Sequence, residues 1–245
     1  MLTAALTLSA PWNEMLAIVA TSVLGLATTP TPSRLFALEQ RFLDLIDANA
    51  PEADVAACIA DLEATGGVTE KPAFSAEIEG TWQLLHTSSS NFDISNPLGR
   101  RADGSAPLIE GWIASVTGGD KATTASASPI QRAVTNAFRV TQTLKSVQSP
   151  GGRVEQLVTT PLGELHLNAA ARVDPASDGK RVVFAFDEGF FLSEETGIRL
   201  PYPVPFKLLG KEAEGYLDTS YLGERLRVST GNKGTTFALK RLDDA

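Results

Sequence analysis

Residues 201–242, PYPVPFKLLGKEAEGYLDTSYLGERLRVSTGNKGTTFALKRL, restrict what this chain can fold into more than any other stretch. A proline-stiffened lead-in is followed by three short runs of strand composition, joined by two turn signals. Gly223-Glu224 separates YLDTSYL from RLRVS and puts Gly first in a two-residue loop, which predicts a type II′ hairpin. GNKG at 231–234 then reverses the chain before TTFALKRL. Two successive hairpins make an antiparallel meander, and the chain upstream must supply what that meander closes against.

Enough chain is available for this. At 245 residues and 43% hydrophobic, it can bury one sizeable core with an appendage. The net charge of −8, with no offsetting block of Lys and Arg, argues against nucleic acid as a partner. A single cysteine, Cys58, excludes an intrachain disulfide framework. Residues 1–33 carry one charged side chain, Glu14, and include the 13-residue apolar run MLAIVATSVLGLA. The run has the size of a signal-peptide core and the segment is Ser-rich like a transit peptide, although neither pattern's basic residues are present. We expect 1–33 to be a targeting or N-terminal extension; the alternative is a buried or membrane-surface helix of the mature protein.

Helical periodicity begins at Ser33, which can cap a helix carrying Leu35, Leu38, Phe42, Leu45 and Ile46 on one stripe, with Glu39, Arg41, Asp44 and Asp47 largely outside it. A second helix starts at Pro51, with Glu52 and Asp54 in its acid-favouring first turn, Val55, Ile59 and Leu62 as its stripe, and Gly66-Gly67 as its stop. These segments predict a helical hairpin over 34–67, with Cys58 as a small buried filler. From residue 72 the texture changes to strands. Candidates are 78–87, 108–116, 137–145, 154–159, 163–173 and 181–186, punctuated by turn signals, with a polar loop expected at 88–107. With the meander this makes about eight to ten strands and no intervening helix, so 72–245 should form an antiparallel barrel or sandwich. The fold class is mainly β with N-terminal helices (α+β), and an eight-stranded barrel can enclose one small ligand.

Catalytic chemistry has little raw material. His86 and His166 are the only histidines, and no GxSxG, HExxH or CxxC occurs, so no catalytic residue, metal or cofactor is expected. Asp187, Glu188, Glu194 and Glu195 lie near Phe184, Phe186, Phe190 and Phe191; we expect a solvated loop beside an aromatic edge, paired carboxylates being the alternative. With Tyr202 and Phe206 of the proline-rich segment, these phenylalanines suit the mouth of a ligand barrel, a lipid-touching surface, or ordinary core. In RLRVS, Leu226 and Val228 share one face, Arg225 and Arg227 the other. With the apolar pair inside, both arginines are solvated or clasp the barrel's end. With the arginines inside, they would bind a carboxylate or phosphate. We take the first arrangement as the expectation. Asp218, which alternation puts on one face with Tyr216, Ser220 and Leu222, should pair with Arg227 or Arg225 across the hairpin and pin its register.

Three pieces resemble the plastid lipid-associated protein (PAP)/fibrillin family: GTWQLLHTS at 80–88, the strand opening at 136–139, and, most extensively, 201–241. The likeness covers roughly residues 34–242. His86 departs from the family's usual Tyr, and Thr230 from its common Arg. The resemblance implies a lipocalin-like barrel, a plastid location at thylakoids, plastoglobules or stroma, and binding of hydrophobic metabolites such as isoprenoid quinones, carotenoids, tocopherols or acyl lipids. It also allows a structural coat on lipid globules or membranes, or an accessory subunit of a quinone-synthesising enzyme. Gly80-x-Trp82 matches the lipocalin opening as well, in which the indole covers one barrel end and a cation from the closing strands stacks on it. Arg227 and Arg225 are the first candidates for that cation and Arg241 the third. The ligand-binding or barrel-closing set is therefore Trp82, His86, Phe184, Phe186, Phe190, Tyr202, Phe206, Asp218, Tyr221, Arg225 and Arg227.

Overall fold

The computed structural model describes residues 32–88, 139–202, 206, 210–232 and 234–242. The expected strand at 108–116, nearly all of the 88–107 loop and residues 1–31 lie outside these. Two helices, α1 (Pro32–Asp47) and α2 (Glu52–Thr65), precede nine strands: β1 (Gly80–Thr87), β2 (Arg139–Lys145), β3 (Arg153–Thr160), β4 (Gly163–Val173), β5 (Arg181–Ser193), β6 (Arg199–Pro201), β7 (Glu214–Leu222), β8 (Leu226–Gly231) and β9 (Thr236–Leu242).

The helices follow their sequence signals closely. Pro51 stands just before α2 with φ −55°, and Gly66 ends it in the left-handed region at φ 71°, its N–H donating to Glu63 O at 3.1 Å. Ser33 is an exception, because α1 already includes Pro32 and Ser33 therefore lies within it. Leu35 and Phe42 of α1 bury against Val55, Cys58, Ile59 and Leu62 of α2, and the same cluster takes in Tyr221, Leu226, Val228 and Ala238 from β7, β8 and β9. The helical hairpin is thus a lid on one side of the C-terminal meander. Each large side chain so buried stabilises by about 1.5–3 kcal/mol. Cys58 fills this seam, and burial raises its thiol pKa.

The strands pair antiparallel in the order β4-β3-β2-β1-β9-β8-β7-β5-β6, and an additional β4–β5 ladder joins the first strand to the eighth. Eight strands therefore hydrogen-bond in a closed ring, with β6 added outside it. Parity sorts their side chains. Trp82, Leu84, Val140, Leu144, Val154, Val158, Leu165, Leu167, Val182, Phe191, Leu222 and Leu239 gather into one inner cluster drawn from all round the ring. Three bulges interrupt the ladders, at Leu84/His86, Asn168/Ala169 and Thr219/Tyr221, and each changes which residues face in.

The ring has two unlike ends. At the end where β1 begins, 3-10 turns at Pro72–Phe74 and Ala76–Ile78 contribute Ala73 and Ile78 to the inner cluster. Ala73 N donates to Gly179 O in the β4–β5 connection at 2.8 Å, so this segment crosses the end. Ile78 belongs to that crossing rather than to the first strand, which starts two residues later than its expected position. At the opposite end, Leu162 of the β3–β4 turn and Ile198 and Leu200 of the β5–β6 hairpin are exposed.

The β7–β8 connection differs from the expected II′ turn. It spans residues 223–225, closed by Gly223 N donating to Leu226 O at 2.9 Å, and Gly223 is not among the positive-φ glycines. A Cβ on Gly223 would lie 2.0 Å from Glu39 Oε1 and 2.7 Å from the Tyr221 hydroxyl. Space, not backbone torsion, requires glycine here. Gly223→Ala should cost about 2 kcal/mol, the scale of overpacking a filled site; urea unfolding showing less than about 0.5 kcal/mol would contradict this contact. GNKG behaves as the expected turn, with Gly234 at φ 79° and Gly231 N donating to Thr235 O at 2.9 Å.

Candidate functional site

Trp82 sits at the crossed end with no exposed surface, its indole N–H donating to Ile78 O at 3.0 Å. Two guanidinium groups flank the ring. Arg241 lies 4.2 Å from its centroid and Arg227 5.0 Å. Arg241, ranked last of the three from sequence, is the closer one. Its donors reach Glu224 O at 3.0 Å, Glu79 O at 2.9 Å and Glu77 O, which ties the β7–β8 connection and the 3-10 crossing to β9.

The expected orientation of β8 is reversed. Leu226 and Val228 point outward against α1 and α2, and Arg227 points into the ring at 1% exposure. Arg225 does not share its face, because it lies in the connection before β8, where strand parity does not apply. Arg225 folds over α1 instead, donating to Gln40 Oε1 at 2.9 Å, Phe36 O at 3.1 Å and Glu39 Oε2 at 3.2 Å. Inside, Arg227 donates through Nη2 to Gln142 Oε1, while its Nε has no acceptor among the described residues. Burial, and after it the charge of Arg241, pull its pKa down to about 9.

Glu39 escaped the sequence reading, which placed it outside the helix stripe. It is 2% exposed and accepts from Tyr221 Oη (3.2 Å), Leu226 N (3.2 Å) and Arg225 N (3.4 Å), besides Arg225 Nε. The signal was present: Glu39 follows Leu35 by four and precedes Phe42 by three, so it lies on the apolar stripe itself. Tyr221, placed by sequence in the ligand-binding or barrel-closing set, belongs to this outer cluster, and its phenol pKa is raised by burial first and by Glu39 second. His86 is also turned outward. The Leu84/His86 bulge pairs it with Ala238, and its Nε2 lies 3.3 Å from Glu52 Oε1 at the start of α2.

Asp218, Asp187 and Glu188 each have a basic partner. Asp218 pairs with neither arginine of the hairpin; Arg181 of β5 reaches both its oxygens at 2.7 Å and stacks on Tyr216. Sequence proximity misled here, because β7's other neighbour is a strand 37 residues away. Asp187 and Glu188 lie within β5 rather than in a loop, Asp187 at the bulge. Asp187 binds Arg153 (2.8 Å), and Glu188 binds Asn168 (2.7 Å) and Arg199, contacts that lower its pKa. Among the described residues, no group of three or more potential metal ligands gathers.

The aromatic residues divide between the two faces. Phe190 lies outside, stacked on His166 at 4.5 Å and under Arg199 at 3.6 Å. Phe184, Phe186, Tyr202 and Phe206 meet inside. Their centroids run Phe184–Phe186 5.4 Å, Phe186–Phe206 5.8 Å and Phe206–Tyr202 5.0 Å. Two inward glycines make room for these rings. A Cβ on Gly189 would meet Phe206 at 2.9 Å, and one on Gly215 would meet Phe184 at 2.7 Å. Among the described residues, the inner face thus combines an aromatic row with one buried cation, Arg227, and the amide of Gln142.

The profile of the PAP_fibrillin family matches residues 120–240. "Probable plastid-lipid-associated protein 12, chloroplastic" of Arabidopsis thaliana is 36% identical over 196 residues, 77% of this chain and 38% of that protein, so the chain spans well under half of that relative's length. The solved structure of "As-p18, an extracellular fatty acid binding protein" aligns with 68% of this chain and 96% of its own at 13% identity, but its TM-score of 0.29 is too low to bear on the fold. With the matching stretch running through β2 to β9 and the relative's alignment reaching beyond it, this chain belongs to the PAP/fibrillin family.

Proposed function

We propose that the strand ring is a lipocalin-like barrel that binds or carries a small hydrophobic metabolite in a plastid, at thylakoid or plastoglobule surfaces. The observation that carries this is the inner aromatic row of Phe184, Phe186, Tyr202 and Phe206, seated against glycines so that flat rings line the interior. Removing apolar ligand surface from water against such a lining supplies about 25 cal/mol per Å². The chloroplastic relative supports the compartment. Isoprenoid quinones, carotenoids, tocopherols and acyl lipids are the ligand classes to test. At least one should quench the protein's tryptophan emission saturably and co-purify with protein taken from its native source; no quenching and no bound lipid across the four classes would refute the binding function.

A second reading, a coat on lipid globules or membranes, draws on the exposed Leu162, Ile198 and Leu200 at the end of the ring opposite Trp82. Flotation with liposomes separates the two, since a soluble carrier stays at the bottom of the gradient.

A further inference from the structure

Three arginines stand around the crossed end of the ring, and among the described residues only two of them have their donors matched. Arg241 spends its donors on three backbone carbonyls, and Arg225 on Glu39, Gln40 and Phe36 O. Arg227 is the most deeply buried of the three, yet among the described residues it has one hydrogen bond, to the neutral amide of Gln142, and the face of Trp82 at 5.0 Å. Its Nε is buried without an acceptor, and no acid among the described residues forms an ion pair with it. The charge that acts on it, after burial, is that of a second cation, Arg241, and it works against the guanidinium's own charge. With its pKa near 9 it still carries its charge at neutral pH.

A buried cation with an open donor is among the costlier arrangements a core can hold. Neighbouring inward positions show that β8 has cheaper options. Ser229, next inward on the strand, closes its hydroxyl on Thr219 at 3.0 Å, and Leu222 opposite Arg227 is plain hydrocarbon. The open Nε lies on the same guanidinium edge as Nη2, whose bond to Gln142 leaves it a second N–H; such an edge fits the two oxygens of a carboxylate, and one negative charge balances one positive. The aromatic row on the same inner face fits a hydrocarbon chain.

We propose that Arg227 is the seat for the carboxylate of an amphipathic lipid whose chain lies along the aromatic inner face, so that the site selects free acids over their neutral counterparts. This rests on the interior-binding function proposed above. Arg241 then has the structural role of holding the indole, and Arg227 the binding role. The test compares oleic acid, oleyl alcohol and methyl oleate on the full chain by displacement of a fluorescent probe. Oleate should bind about tenfold or more tightly than either neutral analogue. In Arg227→Gln and Arg227→Met that preference should fall to about twofold or less, with the melting temperature of the Met variant unchanged or raised, because an uncompensated buried charge has been removed. Equal binding of acid and neutral ligands by the unmodified protein would overturn the carboxylate seat while leaving the binding function standing. Preference retained in both variants would place the headgroup elsewhere and also overturn it. Failure of both variants to fold would make the cation structural, against the proposal. Binding of none of the three, together with none of the other lipid classes, would remove the binding function itself.

Discussion

Trp82→Ala should be the most damaging single truncation, costing about 4 kcal/mol of unfolding free energy, the scale for emptying a fully buried large aromatic site. Three losses coincide there. The indole's apolar surface, wholly hidden between β2 and β9, leaves a cavity at the crossed end. The Ile78 carbonyl loses the donor that it holds at 3.0 Å inside the structure. Arg241 and Arg227 lose the ring face that lies 4.2 and 5.0 Å from them. Trp82→Phe separates these effects, because it keeps a ring and removes the N–H. It should cost roughly half as much, about 2 kcal/mol. Denaturant unfolding that gave less than about 1.5 kcal/mol for the alanine variant would mean that the end is held by Arg241's carbonyl contacts alone.

Glu39→Ala is the second large effect, about 3 kcal/mol, in the range for breaking a buried ion pair by removing one partner. Glu39 is the common acceptor for a phenol, two backbone amides and a guanidinium, all supplied by the end of β7, the β7–β8 connection and the start of β8. Its removal leaves Leu226 N–H and the Tyr221 hydroxyl without that acceptor beneath α1. Glu39→Gln retains one acceptor oxygen and should recover about half of the loss. The Arg181–Asp218 pair shows why geometry alone does not set such values. Its two 2.7 Å bonds are better formed, but side-chain exposures of 31% and 36% confine it to the worth of a surface pair, under about 1 kcal/mol. Unfolding of Glu39→Ala at unchanged denaturant midpoint would show that the helical hairpin docks on apolar contacts alone.

Much of the architecture was legible from residue order. The helical hairpin follows from apolar spacing, Pro51 and the Gly66 stop, and β4 occupies the expected residues 163–173. The meander's existence followed from its turn signals. Its details did not, because each depends on a neighbour brought in from elsewhere. Gly223 read as a turn glycine, yet it is a clearance for Glu39, 184 positions earlier in numbering. Asp218 read as a partner of the next strand, yet it belongs to β5. Phe190 and His86 read with the ligand set, yet each faces outward, His86 through a bulge that shifts alternation by one.

The sequence alone determined the class of structure, the helical hairpin, the antiparallel meander and the family likeness, because periodicity and turn chemistry act over a few residues. Only the tertiary structure decided which face of β8 looks inward. Alternation states which side chains share a face, and in β8 both faces are buried, one by the helices and one by the ring. Hydrophobicity therefore could not choose between them. Ring closure and the docking of α1 and α2 made that choice, and it put Leu226 and Val228 under the helices and Arg227 inside.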